Sequence, residues 1–329
     1  MSSPLRAAVI GASGIGKHHA KWFNALGCEV VAFAGTSKES VAATTEVLHK
    51  LFGFTGKGYV GVEPMLDAAR PDLLALCSPP QLHAEHFALA ADAGCAILCE
   101  KPLVWDWDKP FEQLLDEAGS MVEAARTRSL LAATNTQYVA ALEPYLKLCE
   151  LSGQPVDPAS FERFYMRMDS RGGKSGASGE KIWVDLSPHP LSLLLALAGP
   201  GQLEASSTRV LVDAHQVRAD FTYRTDAGRS VQAVIDTVNV PEGPLARRFG
   251  LDDVLADYEG RNDENGVFAA YLSIGDHRLK SVDFVQDSIS RFVAAVRGEG
   301  APLVTLEEGL ANLRLQLQLM QIGRDSQPA

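Results

Sequence analysis

The sequence predicts an α/β protein, with a doubly wound parallel sheet over residues 1–137 and an α+β domain with a large, mostly antiparallel open sheet over residues 138–329. Three observations predict it. In the first part, short continuous apolar runs alternate with helix-like stretches, as in a parallel sheet covered on both faces. A glycine-rich turn directly follows the first apolar run. Beyond residue 137, apolar and polar residues alternate, which is typical of antiparallel strands with one open face.

The elements follow from these patterns in order. In the first domain, strands are predicted at 6–10, 29–34, 72–77, 96–99 and 130–134, and helices near 15–26, 37–52, 62–68, 83–94 and 110–128. In the second, a helix near 139–151 precedes strands at 161–168, 204–212, 217–223, 230–237 and 267–274, and helices close the chain at 284–297 and 306–323. The glycine- and serine-rich segment 170–179 is predicted as a loop, either a lid or a surface connection.

Composition excludes several classes of protein. A net charge of -11 argues against non-specific binding to nucleic acid or to an anionic membrane. The sequence has no apolar run of the roughly 18 residues that a membrane span needs and no signal-peptide pattern, so a cytoplasmic protein is expected. The cysteines lack metal-site spacing, and we expect buried, reduced thiols and no bound metal. They are Cys28, Cys77, Cys95, Cys99 and Cys149.

The glycine turn predicts a nucleotide site. It contains Gly11, Ser13, Gly14, Ile15 and Gly16, between an apolar strand and a helix start. That order is typical of a turn that receives a dinucleotide pyrophosphate. Serine at the middle position still lets the backbone approach a phosphate. The alternative is a structural glycine turn.

The end of the second strand bears on the choice of nucleotide. NAD-binding domains usually place a carboxylate there, but this chain has Gly35. Thr36, Ser37 and Lys38 supply hydrogen-bond donors and one positive charge, which suit a 2′-phosphate. NADP(H) is therefore favoured and NAD(H) stays possible, with Lys38 as a solvated lysine in the latter case.

Two further segments carry groups that move protons. Lys101, between Glu100 and Pro102, ends an apolar strand at the sheet edge where ligands bind in open α/β sheets. A lysine beside a cationic nicotinamide could shuttle protons. Asp185 and His189 would share one face of a helix, although Pro188 interrupts it. Histidine is the natural base near neutral pH, while the alternative is a helix-start aspartate and a packed histidine.

Together these residues resemble the Gfo/Idh/MocA family (glucose–fructose oxidoreductase, inositol dehydrogenase, rhizopine catabolism) over nearly the whole chain. The resemblance rests on segments 9–19, 77–83, 100–102 and 304–309, and on Asp185 with His189. It implies a Rossmann domain, a C-terminal sheet that forms a homo-oligomer interface (dimer or tetramer), and Lys101, Asp185 and His189 as catalytic residues. The resemblance also places the segment from Ser78 and Pro79 to His83 along the cofactor, where His83 would either cap a helix or touch the substrate. Glu100 and Lys101 are counted with the cofactor-binding residues.

The predicted function is NAD(P)-dependent hydride transfer between nicotinamide and a carbinol or carbonyl carbon of a sugar, cyclitol or related polyol. His189 would be the base, and Lys101 would polarise the same oxygen and relay the proton. Asp185 would orient His189 or bind a neighbouring hydroxyl. The alternatives are a glycosidase that retains its cofactor and oxidises transiently, and a non-catalytic nucleotide-sensing regulator. A semialdehyde dehydrogenase would need a nucleophilic cysteine, which the sequence does not place well. Ser13, Pro190 and the segment 105–108 depart from the family pattern and leave the substrate open.

Overall fold

A computed structural model describes residues 3–171 and 178–326. The chain forms two compact units. The first contains the described residues up to Thr136 together with Val285–Leu310, and the second contains Gln137–Phe284 and the described residues from Ala311 onward. The sequence-based division counted residues 285–310 with the second domain. They belong to the first unit because Ile289, Phe292 and Val293 are buried in the same apolar core as the first strand.

The first unit is built on a six-stranded sheet in the order β3-β2-β1-β4-β5-β6, with every neighbouring pair parallel. The predicted parallel sheet is confirmed, with one extra strand. The sequence missed β3, a short edge strand with lysine and glycine in place of an apolar run. The strands are β1 Arg6–Ile10, β2 Glu29–Gly35, β3 Lys57–Val60, β4 Leu73–Leu76, β5 Ala96–Glu100 and β6 Ala132–Asn135.

Helices connect these strands close to the predicted positions. Their caps explain two of the boundaries: Ser37 and Ser40 form a reciprocal capping box at the start of α2, and Gly53 ends it with φ of 74°. The helices are α1 Gly16–Ala25, α2 Lys38–Phe52, α3 Val62–Ala69, α4 His83–Asp92 and α5 Phe111–Thr127.

The second unit contains an eight-stranded sheet in the order β14-β13-β12-β11-β7-β10-β9-β8, in which only β7 and β10 pair in parallel. This confirms the predicted large, mostly antiparallel sheet. The sequence missed β11, β12 and β14, whose charged residues weaken the apolar alternation. The strands are β7 Arg163–Ser170, β8 Gly201–Val212, β9 Gln216–Thr225, β10 Ser230–Asn239, β11 Arg247–Leu251, β12 Val254–Asn262, β13 Phe268–Ile274 and β14 His277–Val282.

The remaining helices are α6 Leu142–Leu151, α7 Gly179–Leu186, α8 Pro188–Ala198, α9 Phe284–Val296 and α10 Leu306–Asp325. The side chain of Ser178 caps α7 by accepting a hydrogen bond from the Lys181 amide. Most of the predicted loop 170–179 lies outside the described residues, so the lid interpretation stays a prediction. Of the helices in the described ranges, none combines the length and apolarity needed to span a bilayer.

Candidate active site

The glycine turn lies where the strand order of the first sheet reverses, between β1 and β4. Gly11 has a φ of 84°, and a Cβ added there would lie 2.6 Å from the Cys77 carbonyl oxygen. A Cβ added at Gly16 would lie 2.4 Å from the Gly11 carbonyl oxygen. Only glycine fits both positions, and the crevice at such a reversal is where open α/β sheets bind nucleotides. This backbone fits a dinucleotide.

A cavity of about 630 Å³ opens at this turn. Six of the residues expected to bind the cofactor line it: Gly11, Ser13, Gly14, Thr36, Ser78 and Pro79. The sequence did not single out other lining residues that come from β3 and from the helices on either side, including Ser40, Thr44, Val60, Gly61, Val62 and His86. The sequence did not predict the strand that carries Val60, so nothing indicated that the residues after it line the cavity.

The other expected cofactor residues lie elsewhere. Ile15 is the exposed N-cap of α1, and Gly16 packs against the turn. Ser37 and Lys38 belong to the α2 start and are not among the lining residues. The Ser37 hydroxyl accepts from the Ser40 amide at 3.1 Å, so helix capping occupies it. At the end of β2, Thr36 alone of the three predicted donors lines the cavity.

His83 is not on the cavity wall but holds together the two loops beside it. It is 1% exposed, and both ring nitrogens face backbone carbonyls. Nε2 lies 2.8 Å from the Ser78 oxygen, and Nδ1 lies 3.1 Å from the Leu103 oxygen. Burial lowers the pKa of His83 below its ordinary value. The ring joins the segment after β4 to the segment after β5. This structural role accounts for a histidine at this position without a direct ligand contact.

The Lys101 segment rests on a buried polar cluster. Lys101 is half-buried, whereas Glu100 is only 7% exposed. Glu100 Oε1 lies 2.8 Å from His19 Nε2 and 2.5 Å from Asn135 Nδ2, and Oε2 accepts from the Lys101 amide at 3.3 Å. Burial by itself would raise the pKa of the Glu100 carboxyl, but His19, Asn135 and the Lys101 charge bring it below its usual range. Glu100 was expected to bind cofactor; instead its oxygens are occupied by neighbouring side chains and backbone.

Asp185 and His189 flank a break between two helices. Asp185 lies on the last turn of α7 and is exposed, while His189 is the second residue of α8 and is 6% exposed. Ser187, between the helices, keeps helical dihedral angles, with φ of −61° and ψ of −25°. The two residues therefore lie about one helical turn apart, as the spacing predicts, although Pro188 cannot donate the hydrogen bond of a continuous helix.

Two side chains of α10 hold this break. The Gln316 amide donates to the Val184 carbonyl at 3.1 Å and to the Ser187 hydroxyl at 3.0 Å. Asn312, one turn earlier, donates to the Pro188 carbonyl at 2.6 Å and to the Ser192 hydroxyl at 2.8 Å. Asn312 and Gln316 are 3% and 0% exposed.

An aromatic side chain, that of Tyr138, packs against His189 within the second unit. The His189 ring centroid lies 5.1 Å from that of Tyr138, which in turn lies 5.4 Å from that of Tyr258. The Arg247 guanidinium donates to the Tyr138 hydroxyl at 2.8 Å. Burial raises the pKa of Tyr138, and Arg247 opposes that rise. Tyr138 and Arg247 join the candidate site; sequence reasoning missed them because neither belongs to a recognisable motif.

The sequence also offers the region of Arg163, Tyr165, Arg167 and Lys174 as a candidate lining of the substrate pocket, without deciding which of these side chains face it. Arg163, Tyr165 and Arg167 alternate with buried residues and so lie on the open face of the second sheet. Arg163 pairs with Asp253 at 2.6 Å and Arg167 with Asp169 at 2.9 Å. Lys174 lies outside the described residues.

Comparison with known proteins identifies the family. The family model described as "Oxidoreductase family, NAD-binding Rossmann fold" matches residues 5–136. A 1,5-anhydro-D-fructose reductase of Ensifer adhaerens is 33% identical, with 98% of each sequence covered. The chain belongs to the Gfo/Idh/MocA family. It is therefore an oxidoreductase with an NAD-binding Rossmann domain, as the resemblance implied.

Another curated protein and several solved structures are also similar to this chain. A D-glucoside 3-dehydrogenase of Escherichia coli (strain K12) is 38% identical over 107 residues, and the match spans 31% of this chain and 28% of that protein. The UDP-N-acetylglucosamine 3-dehydrogenase of Acidithiobacillus ferrooxidans has a TM-score of 0.73 at 19% identity, with 97% of each chain covered. A levoglucosan dehydrogenase in complex with NADH and levoglucosan has a TM-score of 0.72 at 14% identity, with 98% of each chain covered. These structural likenesses support the fold of both units.

The cysteines of this Gfo/Idh/MocA protein offer no activated nucleophile. All five are free, four of them buried, with Cys77 half-buried. Burial raises the pKa of Cys95 to about 11 and holds that of Cys99 well above its ordinary value. Because the thiolate is the reactive form, such thiols do not suit a cysteine-dependent semialdehyde dehydrogenase. Across the described residues, no group of three or more His, Cys, Asp and Glu side chains is arranged to hold a metal ion.

Proposed function

We propose that this protein is an NADP(H)-dependent dehydrogenase or reductase acting on a secondary hydroxyl or the matching carbonyl of a sugar or related polyol. One observation carries the proposal: the cavity at the sheet reversal is lined by Gly11, which tolerates no Cβ, and β2 ends beside it without a carboxylate. Gly35 and Thr36 line the wall at that point. A 2′-phosphate would meet no acidic side chain from the strand end.

Around the α2 start, the helix dipole favours the 2′-phosphate of NADP(H), while the side-chain charges of Lys38 and Glu39 oppose each other. Lys38 and the positive end of the helix dipole favour a phosphate. Glu39, in the same turn, opposes it, and the pKa of its carboxyl is lowered by the α2 backbone and by Ser37, so it carries a full charge at neutral pH. Lys38 and Glu39 therefore cancel in charge. The preference rests on the missing strand-end carboxylate, on Thr36 and on the helix dipole.

Each proposed catalytic residue has a role that suits its surroundings. Bound nicotinamide supplies the hydride acceptor or donor. Lys101, half-buried beside the Glu100 carboxylate, polarises the substrate oxygen. His189, which is buried and packs against the Tyr138 ring, removes the hydroxyl proton during oxidation. Asp185 orients His189 or binds a neighbouring hydroxyl, and Tyr138 supports the histidine ring by packing against it.

The substrate class draws on the relatives. Their printed names include an anhydro-fructose reductase, a glucoside 3-dehydrogenase and a UDP-N-acetylglucosamine 3-dehydrogenase. All of these are carbohydrate oxidoreductases, so a pyranose or similar ring with secondary hydroxyls is the substrate class proposed here. A homo-oligomer (dimer or tetramer) formed through the open face of the second sheet is part of the same proposal, tested by sedimentation velocity.

The experiment first measures the affinities for the two nucleotides and then the turnover of candidate substrates. NADPH and NADH are titrated separately into purified protein while nicotinamide fluorescence is followed. We expect tighter binding of NADPH, and Thr36→Asp should reverse the order by placing a carboxylate directly after the strand end at Gly35. A panel of pyranosides, free sugars and cyclitols is then oxidised or reduced at 340 nm. Binding of neither nucleotide would overturn the proposal, and tighter binding of NADH would overturn its NADP(H) part.

A further inference from the structure

We infer that Glu100, hydrogen-bonded by His19 and Asn135, is a positioning residue that holds the Lys101 backbone and charge in place for catalysis. This inference rests on the proposed function for the role of Lys101. The three residues come from α1, β5 and β6 of the first unit, and β5 pairs with β6. The family resemblance had suggested Glu100 as a cofactor contact, which its bonded oxygens do not favour.

The geometry fixes which atoms donate. The ionised carboxylate of Glu100 only accepts hydrogen bonds, so His19 Nε2, at 2.8 Å, must carry a proton. Asn135 directs its Nδ2 to the same oxygen at 2.5 Å, because a flipped amide would place oxygen against oxygen. Oε1 is therefore held by two buried donors, and Oε2 is left to accept from the Lys101 amide. His19 is then the Nε2-protonated tautomer when neutral.

The burial of the cluster shows that this arrangement is specific. His19, Glu100 and Asn135 are 0%, 7% and 3% exposed. A buried carboxylate is costly unless paired and fully hydrogen-bonded. Within the part of the chain that the structure describes, His19 Nδ1 and Asn135 Oδ1 have no hydrogen-bond partner. Each of the two side chains thus bonds Glu100 with one polar atom and leaves its other polar atom unsatisfied. An unsatisfied buried polar atom destabilises the fold, and the need to hold the Glu100 carboxylate explains why it is tolerated here.

The consequence for catalysis is orientation. A carboxylate that cannot rotate fixes the peptide at Lys101 through its N–H and presents negative charge beside the lysine ammonium. Loss of the hydrogen bonds from His19 and Asn135 would let the lysine move. A displacement of about 1 Å from the reacting geometry costs about a hundredfold in rate. Nucleotide affinity should be spared, because neither Glu100 nor His19 lines the cavity.

The kinetic test uses two pairs of variants. Glu100→Gln removes the charge while keeping the shape, and we expect kcat to fall about a hundredfold with NADPH affinity and substrate KM within about twofold. Glu100→Asp, which keeps the charge, should recover part of the loss. His19→Leu removes the donor and should lower kcat in the same way, while His19→Gln, which offers an amide donor, should restore it. The control is His18→Gln, on the exposed side of the same helix.

A second measurement does not depend on turnover or on nucleotide. The nitrogen-15 spectrum of labelled histidine, with His19 assigned from its glutamine variant, should show the Nε2-protonated tautomer in the unmodified protein. The Nδ1-protonated form would overturn the inference, as would full kcat in Glu100→Gln or in His19→Leu. Failure to bind either nucleotide would instead overturn the proposed function, because the tautomer is read without any ligand.

Discussion

The Gln316 side chain donates to the Val184 carbonyl, the acceptor that Pro188 leaves without its helical N–H partner. A proline at this point removes one bond of the helical ladder, and the freed carbonyl is buried. The side chain of α10 replaces the missing donor and also donates to Ser187. The positions of Asp185 and His189, on either side of the break, therefore depend on a residue more than 120 positions away.

Gln316→Met tests this dependence. The substitution keeps most of the side-chain volume but leaves the Val184 carbonyl and the Ser187 hydroxyl unsatisfied. We expect a loss of about 1–3 kcal/mol in unfolding free energy, measured by denaturant titration, together with a fall in kcat. Gln318→Met, at an exposed position of the same helix, is the control and should change neither quantity. An unchanged unfolding midpoint in Gln316→Met would show that the break stabilises itself.

Gly11→Ala tests the nucleotide turn. A Cβ at this position would lie 2.6 Å from the Cys77 carbonyl oxygen, and the backbone has a φ of 84° that alanine rarely adopts. We expect NADPH affinity to fall at least tenfold by fluorescence titration, because the turn and the Cys77 backbone, which both line the cavity, must move apart. Gly119→Ala, inside α5 and away from the cavity, is the matched control, since nothing lies within 4 Å of a Cβ there. Equal affinities for the two variants would contradict the assignment of the cavity.

Lys101→Met tests the proposed catalytic lysine. Removing the ammonium while keeping a long side chain should lower kcat by about 10²–10⁴-fold, the range for losing an acid–base group. NADPH affinity should stay near that of the unmodified protein, since Lys101 does not line the cavity. Lys109→Met, which removes an ion pair with Glu117, serves as the control in the same assay. Full turnover in Lys101→Met would refute the proposed mechanism.

The pH dependence of stability should reveal His83. Burial lowers the pKa of His83, so below pH of about 6.5 the unfolded chain takes up a proton there that the folded chain does not. The unfolding free energy should then fall with decreasing pH, by up to about 1.4 kcal/mol per pH unit, until the folded pKa is reached. Above pH of about 6.5 this group contributes no slope. His83→Gln should flatten the slope, while the exposed His49→Gln should keep it.

Particular residues show how far sequence reasoning reached into the site. The strand, turn and helix around Gly11 were predictable because glycine spacing and apolar periodicity are local properties of the chain. Ser37 and Lys38 were predicted at the cavity from their position after β2, but the capping of α2 uses the Ser37 hydroxyl and neither residue lines the wall. The residues after β3 were missed because an edge strand with exposed lysine has no apolar signature.

By itself, the sequence determined the fold class, the family and the loop that would hold a nucleotide, since these follow from short-range patterns of apolar residues, glycines and motif spacing. The tertiary structure alone decided which side chains meet: His19 and Asn135 at Glu100, Gln316 at the proline break, and Arg247 at Tyr138. These pairs are between 35 and 132 residues apart along the chain. No local pattern encodes such pairs, because their energy comes from satisfying buried polar groups across elements that only the complete fold brings together.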